Sequence, residues 1–283
     1  MPMKIGFIGA GKVGFSLGKY FVYNNIELSG FYSRTFENAL KAAEFTDSKG
    51  YDSLKDIVED SEVLFLTVSD TEIINVWDKL KELKVTGKII CHCSGVLSSE
   101  IFADIKDYNC FGYSIHPLLA VSNKETSYKE FSKALFTIEG SEEKIAQMTE
   151  LFSRCGNKVR AIKAADKVRY HGAAVMASNL VLGLLETAIE ELINCGFTRE
   201  EAFEALSPLM LGNVLHLKDQ TIEESLTGPV ERNDILTVEN HLDVLDGDNR
   251  EIYSLLSKKA LKIAKRKNSD RFYDKLDNIL TTN

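Results

Sequence analysis

Gly9-Ala10-Gly11-Lys12-Val13-Gly14 has the spacing G-x-G-x-x-G, directly after an apolar run at 4–8 and directly before apolar residues at helical spacing over 12–23. In that setting each glycine has a mechanical task. Gly9 makes the tight turn, Gly11 lets the backbone approach a pyrophosphate, and Gly14 lets the helix pack on the strand. The helix start offers free N–H groups and the positive end of a dipole to phosphate. The next strand, read at 28–32, runs into Tyr32-Ser33-Arg34-Thr35, where an NAD-binding chain would carry Asp or Glu for the ribose hydroxyl. The first carboxylate after that strand is Glu37. A guanidinium at Arg34 and a hydroxyl at Ser33 suit a 2′-phosphate, so NADP is the expected cofactor.

Three further side chains are of a type that handles protons. His171 opens an apolar helical stretch and lies seven and eight residues before Ser178 and Asn179, which a continuous helix would bring close to its face. An imidazole there could protonate a developing alkoxide or amine, or be a structural histidine near a domain junction. His116 ends a strand before Pro117, either at the edge of a ligand crevice or as a turn histidine held by backbone bonds. Cys91-His92-Cys93 puts both thiols on one strand face and the imidazole on the other, which is no zinc set, so no metal is expected.

The elements that must position these groups alternate over the first half. Strands are read at 4–8, 28–32, 63–68, 88–92, 110–115, 135–138 and 158–162, and helices at 12–23, 36–45, from Asp70, taken as its cap, and between Ser141 and Gly156. The run Val63-Leu64-Phe65-Leu66-Thr67-Val68 is apolar on both faces, as a buried parallel strand is. Such alternation predicts an α/β fold with a doubly wound, mainly parallel sheet. From 166 on the strand signals stop. One helix is read over 166–194, with capping boxes at Thr198/Glu201 and Asp248/Glu251, a helix start at Ser207-Pro208, and a turn at 227–234 where Arg232 could hold an anion and Asp234 could cap a helix. The expected organisation is a nucleotide-binding domain at 1–164 and an all-helical domain at 165–283. Residues 173–185 are apolar on every side, so the helix should be buried all round, by its own domain or by a partner subunit.

The chain has 283 residues, 44% of them apolar, with 34 Lys plus Arg against 42 Asp plus Glu, a net charge of −8. That balance repels phosphodiester backbones, which argues against nucleic-acid binding. The apolar stretch at 173–185 is shorter than the ~20 residues needed to cross a bilayer, so no membrane span is read. Five scattered cysteines suit reduced thiols in a cytoplasm.

With the glycine loop, Tyr32-Ser33-Arg34-Thr35, the 63–70 run and a helical second half, the chain resembles the β-hydroxyacid dehydrogenase and 6-phosphogluconate dehydrogenase group. Pyrroline-5-carboxylate reductases and deazaflavin-dependent NADP oxidoreductases are cousins in that resemblance. Ser114-Ile115-His116-Pro117-Leu118, Tyr170-His171-Gly172-Ala173-Ala174 and Thr227-Gly228-Pro229-Val230-Glu231-Arg232 are similar to an uncharacterised Rossmann-like oxidoreductase family with its own C-terminal helical domain. The resemblance implies that Val68 and Ser69 lie beside the cofactor and that Ser94 approaches its nicotinamide end. It also exposes a departure: where β-hydroxyacid dehydrogenases carry a lysine four residues before Asn179, this chain has Val175.

The function expected from these readings is an NADP-dependent oxidoreductase acting on a small carbonyl or imine compound, working as a homodimer through its helical half. His171 would donate the proton, Asn179 and Ser94 would orient substrate, and His116 would assist. The alternative is a nucleotide-binding sensor that keeps the Rossmann half without turnover.

Overall fold

In a computed structural model that describes residues 3–282, eight strands form one sheet. They are β1 (Ile5–Ile8), β2 (Leu28–Tyr32), β3 (Lys49–Tyr51), β4 (Val63–Leu66), β5 (Ile89–His92), β6 (Phe111–Pro117), β7 (Leu135–Gly140) and β8 (Lys158–Ala161), in the order β3-β2-β1-β4-β5-β6-β7-β8. Every neighbouring pair is parallel except β6 and β7. The order reverses between β1 and β4, the point where doubly wound sheets open a crevice beyond the carboxyl ends of their strands.

Helices α1 (Lys12–Tyr23), α2 (Phe36–Thr46), α3 (Leu54–Asp60), α4 (Asp70–Lys81) and α5 (Ile145–Ser153) accompany the sheet. The apolar alternation of β4 explains the two-sided core. Val63 and Phe65 join Phe7, Phe31 and Phe152 in one cluster, whereas Leu64 and Leu66 join Trp77, Ile90 and Phe102 in another. A strand buried on both faces reads as an unbroken apolar run because neither face meets water. Two elements had no expectation, β3 and α3; both are short, and Ser53 starts α3 by accepting from the Asp56 N–H.

The compact units divide after Ser178, not near residue 165. The cause lies in α6 (Lys167–Met176), whose first turn carries Lys167, a side chain 1% exposed and bonded to residues of the sheet end. The single helix expected over 166–194 is broken. The Ala177 and Ser178 N–H groups bond back to the Ala173 and Val175 carbonyls, and the Ser178 hydroxyl donates to the Ala174 carbonyl, a local bond that competes with the helical ladder.

The second unit contains α7 (Asn179–Asn194), α8 (Arg199–His216), α9 (Ile222–Ser225), α10 (Pro229–Arg232), α11 (Ile235–Val244), α12 (Gly247–Lys267) and α13 (Asp274–Thr282). Its core is Val230, Val238, Leu242, Leu261, Tyr273 and Leu276, from α10 to α13. Thr198 and Glu201 form the expected capping box, and Thr221 with Glu224 forms one that was not read. The box expected at Asp248/Glu251 is absent among the described residues, because α12 begins two residues earlier than that cap implies, at Gly247 after Asp246. Pro208 sits inside α8 and does not start a helix. Asp234 accepts from the Thr237 N–H and caps α11, so the 227–234 stretch, read as a turn, holds the short helix α10 and the start of α11.

The expectation that residues 173–185 are buried all round does not hold within one chain. Met176 is 68% exposed and Leu182 64%, and α7 buries only Ile189. By length and composition the run Ala164–Asn194 would also suffice to cross a membrane, which corrects the shorter reading. Its first turn, however, is tied into the sheet end by Lys167 and Tyr170, and it is interrupted at Ala177 and Ser178.

Candidate active site

The turn after β1 has the shape the glycines suggested. Gly9 takes φ +111°, and its backbone lies so close to Thr67 that a Cβ would sit 2.6 Å from the Thr67 carbonyl oxygen. The Thr67 hydroxyl in turn donates to the Gly9 carbonyl at 2.7 Å. A Cβ on Gly14 would overlap the Thr67 side chain, which explains the close helix-to-strand packing. A Cβ on Gly11 would meet only the Thr67 carbonyl, at 3.7 Å, so that glycine borders open space. No side chain caps α1, and its first turn holds no acidic residue. The N–H groups of Lys12, Val13 and Gly14 come before the first intrahelical donor, Phe15, which bonds to the Gly11 carbonyl. This is the donor set and the clearance that a pyrophosphate needs.

Past β2, Arg34 is exposed and makes no hydrogen bond or ion pair with any described residue, and Ser33 is half-buried beside it. Val68 is half-buried and Ser69 exposed after β4. Ser69 occupies the N-cap position of α4, so Asp70 is its first helical residue and not its cap. Asp70 instead accepts a 2.8 Å bond from the Ser94 hydroxyl.

Ser94, His116 and His171 come together beyond the carboxyl ends of β5 and β6. Gly95 is the floor of the cluster. A Cβ there would overlap His171 Nδ1 and stand 3.0 Å from His116 Nε2, so both imidazoles close over the glycine. His116 Nδ1 is 2.8 Å from the Tyr170 hydroxyl, and the two imidazole rings stand edge to face at 6.1 Å. His171 Nδ1 is buried and has no hydrogen-bond partner among the described residues, an unusual state for a buried polar atom. The Ser94 hydroxyl, by contrast, is fully used: besides donating to Asp70 it accepts from the Val96 and Leu97 N–H groups. It holds the turn, in place of the substrate-orienting part expected of it. Asn179 opens α7 in the second unit, and the break before it removes the shared helix face on which it was grouped with His171.

Three members of the cluster were missed by the sequence reading. Lys167 Nζ donates to the Ser94 carbonyl at 2.8 Å and to the Ser114 hydroxyl at 2.7 Å. Burial lowers its pKa to about 8. Tyr170 is the second. The third is Glu139, buried on β7, whose carboxylate accepts from the Ser99 N–H and hydroxyl and is pushed up from its usual range by burial. The signal available for Lys167 and Tyr170 was spacing: at i and i+3 on α6 they share a helix side, and Tyr170 precedes His171.

Burial also pushes the His116 pKa down to about 4, with the Lys167 ammonium adding to it. His92 is lowered to about 4 in the same way; its Nδ1 accepts from the Ser94 N–H, and its Nε2 faces the Ser98 carbonyl. Both rings are therefore neutral near pH 7, and a neutral His116 that accepts the Tyr170 O–H at Nδ1 presents an Nε2–H donor over Gly95.

Residues 1–117 match the family model of a Rossmann-like domain, and residues 134–260 match that of a domain of unknown function, DUF2520. No curated protein is significantly similar to the chain. Among solved structures, protein TM1727 from Thermotoga maritima is 26% identical with a TM-score of 0.76, over 93% of this chain and 99% of that one. A pyrroline-5-carboxylate reductase from Coxiella burnetii (15% identity, TM-score 0.60, 94% and 99% covered) shares the fold. So does a reductive aminase from Aspergillus terreus, solved with NADPH and ethyl levulinate (13%, 0.62, 96% and 100%).

The neutral histidines have a measurable consequence. Unfolded, each binds its proton near pH 6.5; folded, His92 and His116 bind it only near 4. The stability this supplies is complete above about pH 6.5 and is lost as pH falls toward 4, on the order of 3 kcal/mol per imidazole at one pKa unit per ~1.4 kcal/mol. The urea midpoint should fall across that window, and fall less steeply in His116→Asn. An identical slope in the two proteins would refute the assignment.

Proposed function

We propose that the chain is an NADP-dependent oxidoreductase that moves a hydride between the cofactor and a small carbonyl or imine compound. In this reading it stands with the β-hydroxyacid dehydrogenase and 6-phosphogluconate dehydrogenase group, and its five free thiols suit a reducing cytoplasm. The observation that carries the reading is the open, uncapped start of α1 at Gly11, flanked past β2 by the unpartnered Arg34. NADPH or NADP+ would be held by the 9–14 loop at its pyrophosphate and by Arg34 and Ser33 at its 2′-phosphate, with Val68 and Ser69 alongside; when bound it supplies or accepts the hydride.

The rest of the chemistry belongs to the chain. Gly95, having no side chain, lets the two imidazoles close on one turn beyond β5. His116 offers its Nε2–H to the oxygen or nitrogen that gains charge, and Tyr170 fixes that tautomer. His171, whose Nδ1 has no hydrogen-bond partner among the described residues, delivers the proton. Ser94, bonded to Asp70, holds the turn on which both rings close.

A second copy of the chain completes the reading. Leu180, Leu182 and Leu184 on α7 and Leu209, Leu211 and Leu215 on α8 are all exposed, and α8 buries only Ala202. Beside them lies an apolar hollow of about 440 Å³ lined by Leu184, Leu192, Leu206 and Leu256. An apolar surface of this extent on one helix pair is the mark of an interface, and homodimers are the commonest cover.

Arg34→Ala should weaken NADP(H) by ~1.5–3 kcal/mol, the scale of hydrogen bonds to a charged group, and leave NAD(H) nearly unchanged. Titration calorimetry with both nucleotides decides it, and equal losses would sink the 2′-phosphate assignment. In a panel of carbonyls and imines followed by NADPH absorbance, His171→Ala should lower turnover ~10²–10⁴-fold without changing cofactor affinity. Unaltered turnover would remove His171 as the proton donor, and a bound cofactor consumed by no member of the panel would favour nucleotide sensing. Sedimentation should give about twice the 31.7 kDa chain mass; a monomer at micromolar concentration contradicts the dimer.

A further inference from the structure

Resting on the nicotinamide reading above, we propose that Lys167 sets the redox form the site prefers, its buried ammonium favouring the neutral reduced nicotinamide over the cationic oxidised one. Lys167 does this as a positioning residue, through the field it sets up at the Ser94–Gly95 turn.

The strand order locates the charge. Arg34 at the end of β2 and the glycine turn after β1 take the adenosine side and the pyrophosphate. β4 and β5 lie on the other side of β1 from β2. The nicotinamide half must therefore run over the ends of β4 and β5, where Lys167 Nζ contacts the Ser94 carbonyl, one residue before Gly95.

The charge is not neutralised by contact. Among the described residues the ammonium donates to the Ser94 carbonyl and the Ser114 hydroxyl, both neutral dipoles. Asp70 from α4 is exposed to water and bonded to the Ser94 hydroxyl. Glu139 from β7 is the buried carboxylate nearby, but it is turned to Ser99, so the positive end of the Lys167–Glu139 pair is the end at Ser94. The other groups around the ammonium are uncharged near neutrality: His92 from β5 and His116 from β6, both lowered to about 4, Cys93 from β5, pushed up to about 12, and Tyr170 from α6, raised by burial. His171 lies beyond Gly95 on the same helix. This lysine is eight residues before Val175.

NADPH and NADP+ carry the same phosphates and differ by one charge on the ring. Their affinity ratio therefore cancels the contributions of the loop and of Arg34, and the part of it that changes with pH and with Lys167 reports the local potential. Titrating the full chain with each nucleotide from pH 7 to 9.5 tests the proposal without any substrate. In the unmodified protein NADPH should bind more tightly than NADP+, and the preference should fade as pH rises through about 8, where Lys167 loses its proton. Lys167→Met should reduce the ratio ~10-fold, the scale of a unit charge about two strand widths away at an effective dielectric near 20, and should make it independent of pH. The same ratio in both proteins, or a ratio in the unmodified protein that ignores pH, overturns the proposal while leaving the oxidoreductase reading in place. Failure of both nucleotides to bind overturns the two together. Should Lys167→Met not fold, the pH series on the unmodified protein decides by itself.

Discussion

A lysine ammonium removed from water must be held by dipoles aimed at it, and in this protein the two that hold Lys167 come from different strands. The Ser94 carbonyl follows β5 and the Ser114 hydroxyl lies on β6. Because burying an unsolvated charge costs several kcal/mol, such a group is tolerated only where the surrounding geometry is fixed. Much of the candidate site follows from that one demand. Holding the ammonium docks the first turn of α6 against the sheet end, which carries Tyr170 and His171 to the same place. It also pins the Ser94–Gly95 turn, so that both imidazoles can close on a residue without a side chain.

The glycine loop after β1 rests on a comparable close approach. Thr67, just past β4, donates its hydroxyl to the Gly9 carbonyl and fills the space where side chains on Gly9 and Gly14 would have to go. One residue thus enforces two glycines of the motif, while Gly11 stays free to face a ligand. The two ends of the crevice are joined through α4. Ser69 sits at its N-cap position, and Asp70 reaches across to the Ser94 hydroxyl. Displacement at either end would be felt at the other through a rigid helix start, not through a chain of exposed side chains.

The sequence made the Rossmann half legible where a single local rule decided the outcome. The two-sided apolar run at β4, the glycine spacing and the helical period of α1 each speak within a dozen residues. The same rules failed where tertiary packing overrode them. Residues 166–194 have the composition of one helix, and only the backbone bonds at Ala177 and Ser178 reveal the break. Their apolar surround was read as burial, yet most of it faces outward in one chain. Asp70 looked like a helix cap because its type suits that position, whereas its partner lies 24 residues away. Lys167 was invisible for a related reason: lysine is almost always solvated, and nothing local distinguishes the rare one that a sheet end has enclosed. The histidines were legible as proton-handling types. Their convergence on Gly95 was not, since it joins three segments widely spaced in the chain.

This chain has Val175 where β-hydroxyacid dehydrogenases carry a lysine, and a buried lysine stands about two helical turns earlier. What a positive group contributes to hydride transfer is a potential, and a potential depends on distance and dielectric, not on which turn of a helix supplies it. Lys167 enters from the start of α6, where the helix is tied to the sheet, whereas position 175 lies close to the interruption before α7. The charge, both histidines and the tyrosine then all belong to the first compact unit, together with the phosphate loop. Groups held in the same compact unit as the glycine loop keep their geometry without help from the remainder of the chain, and that is the arrangement a site needs when small displacements cost large factors in rate.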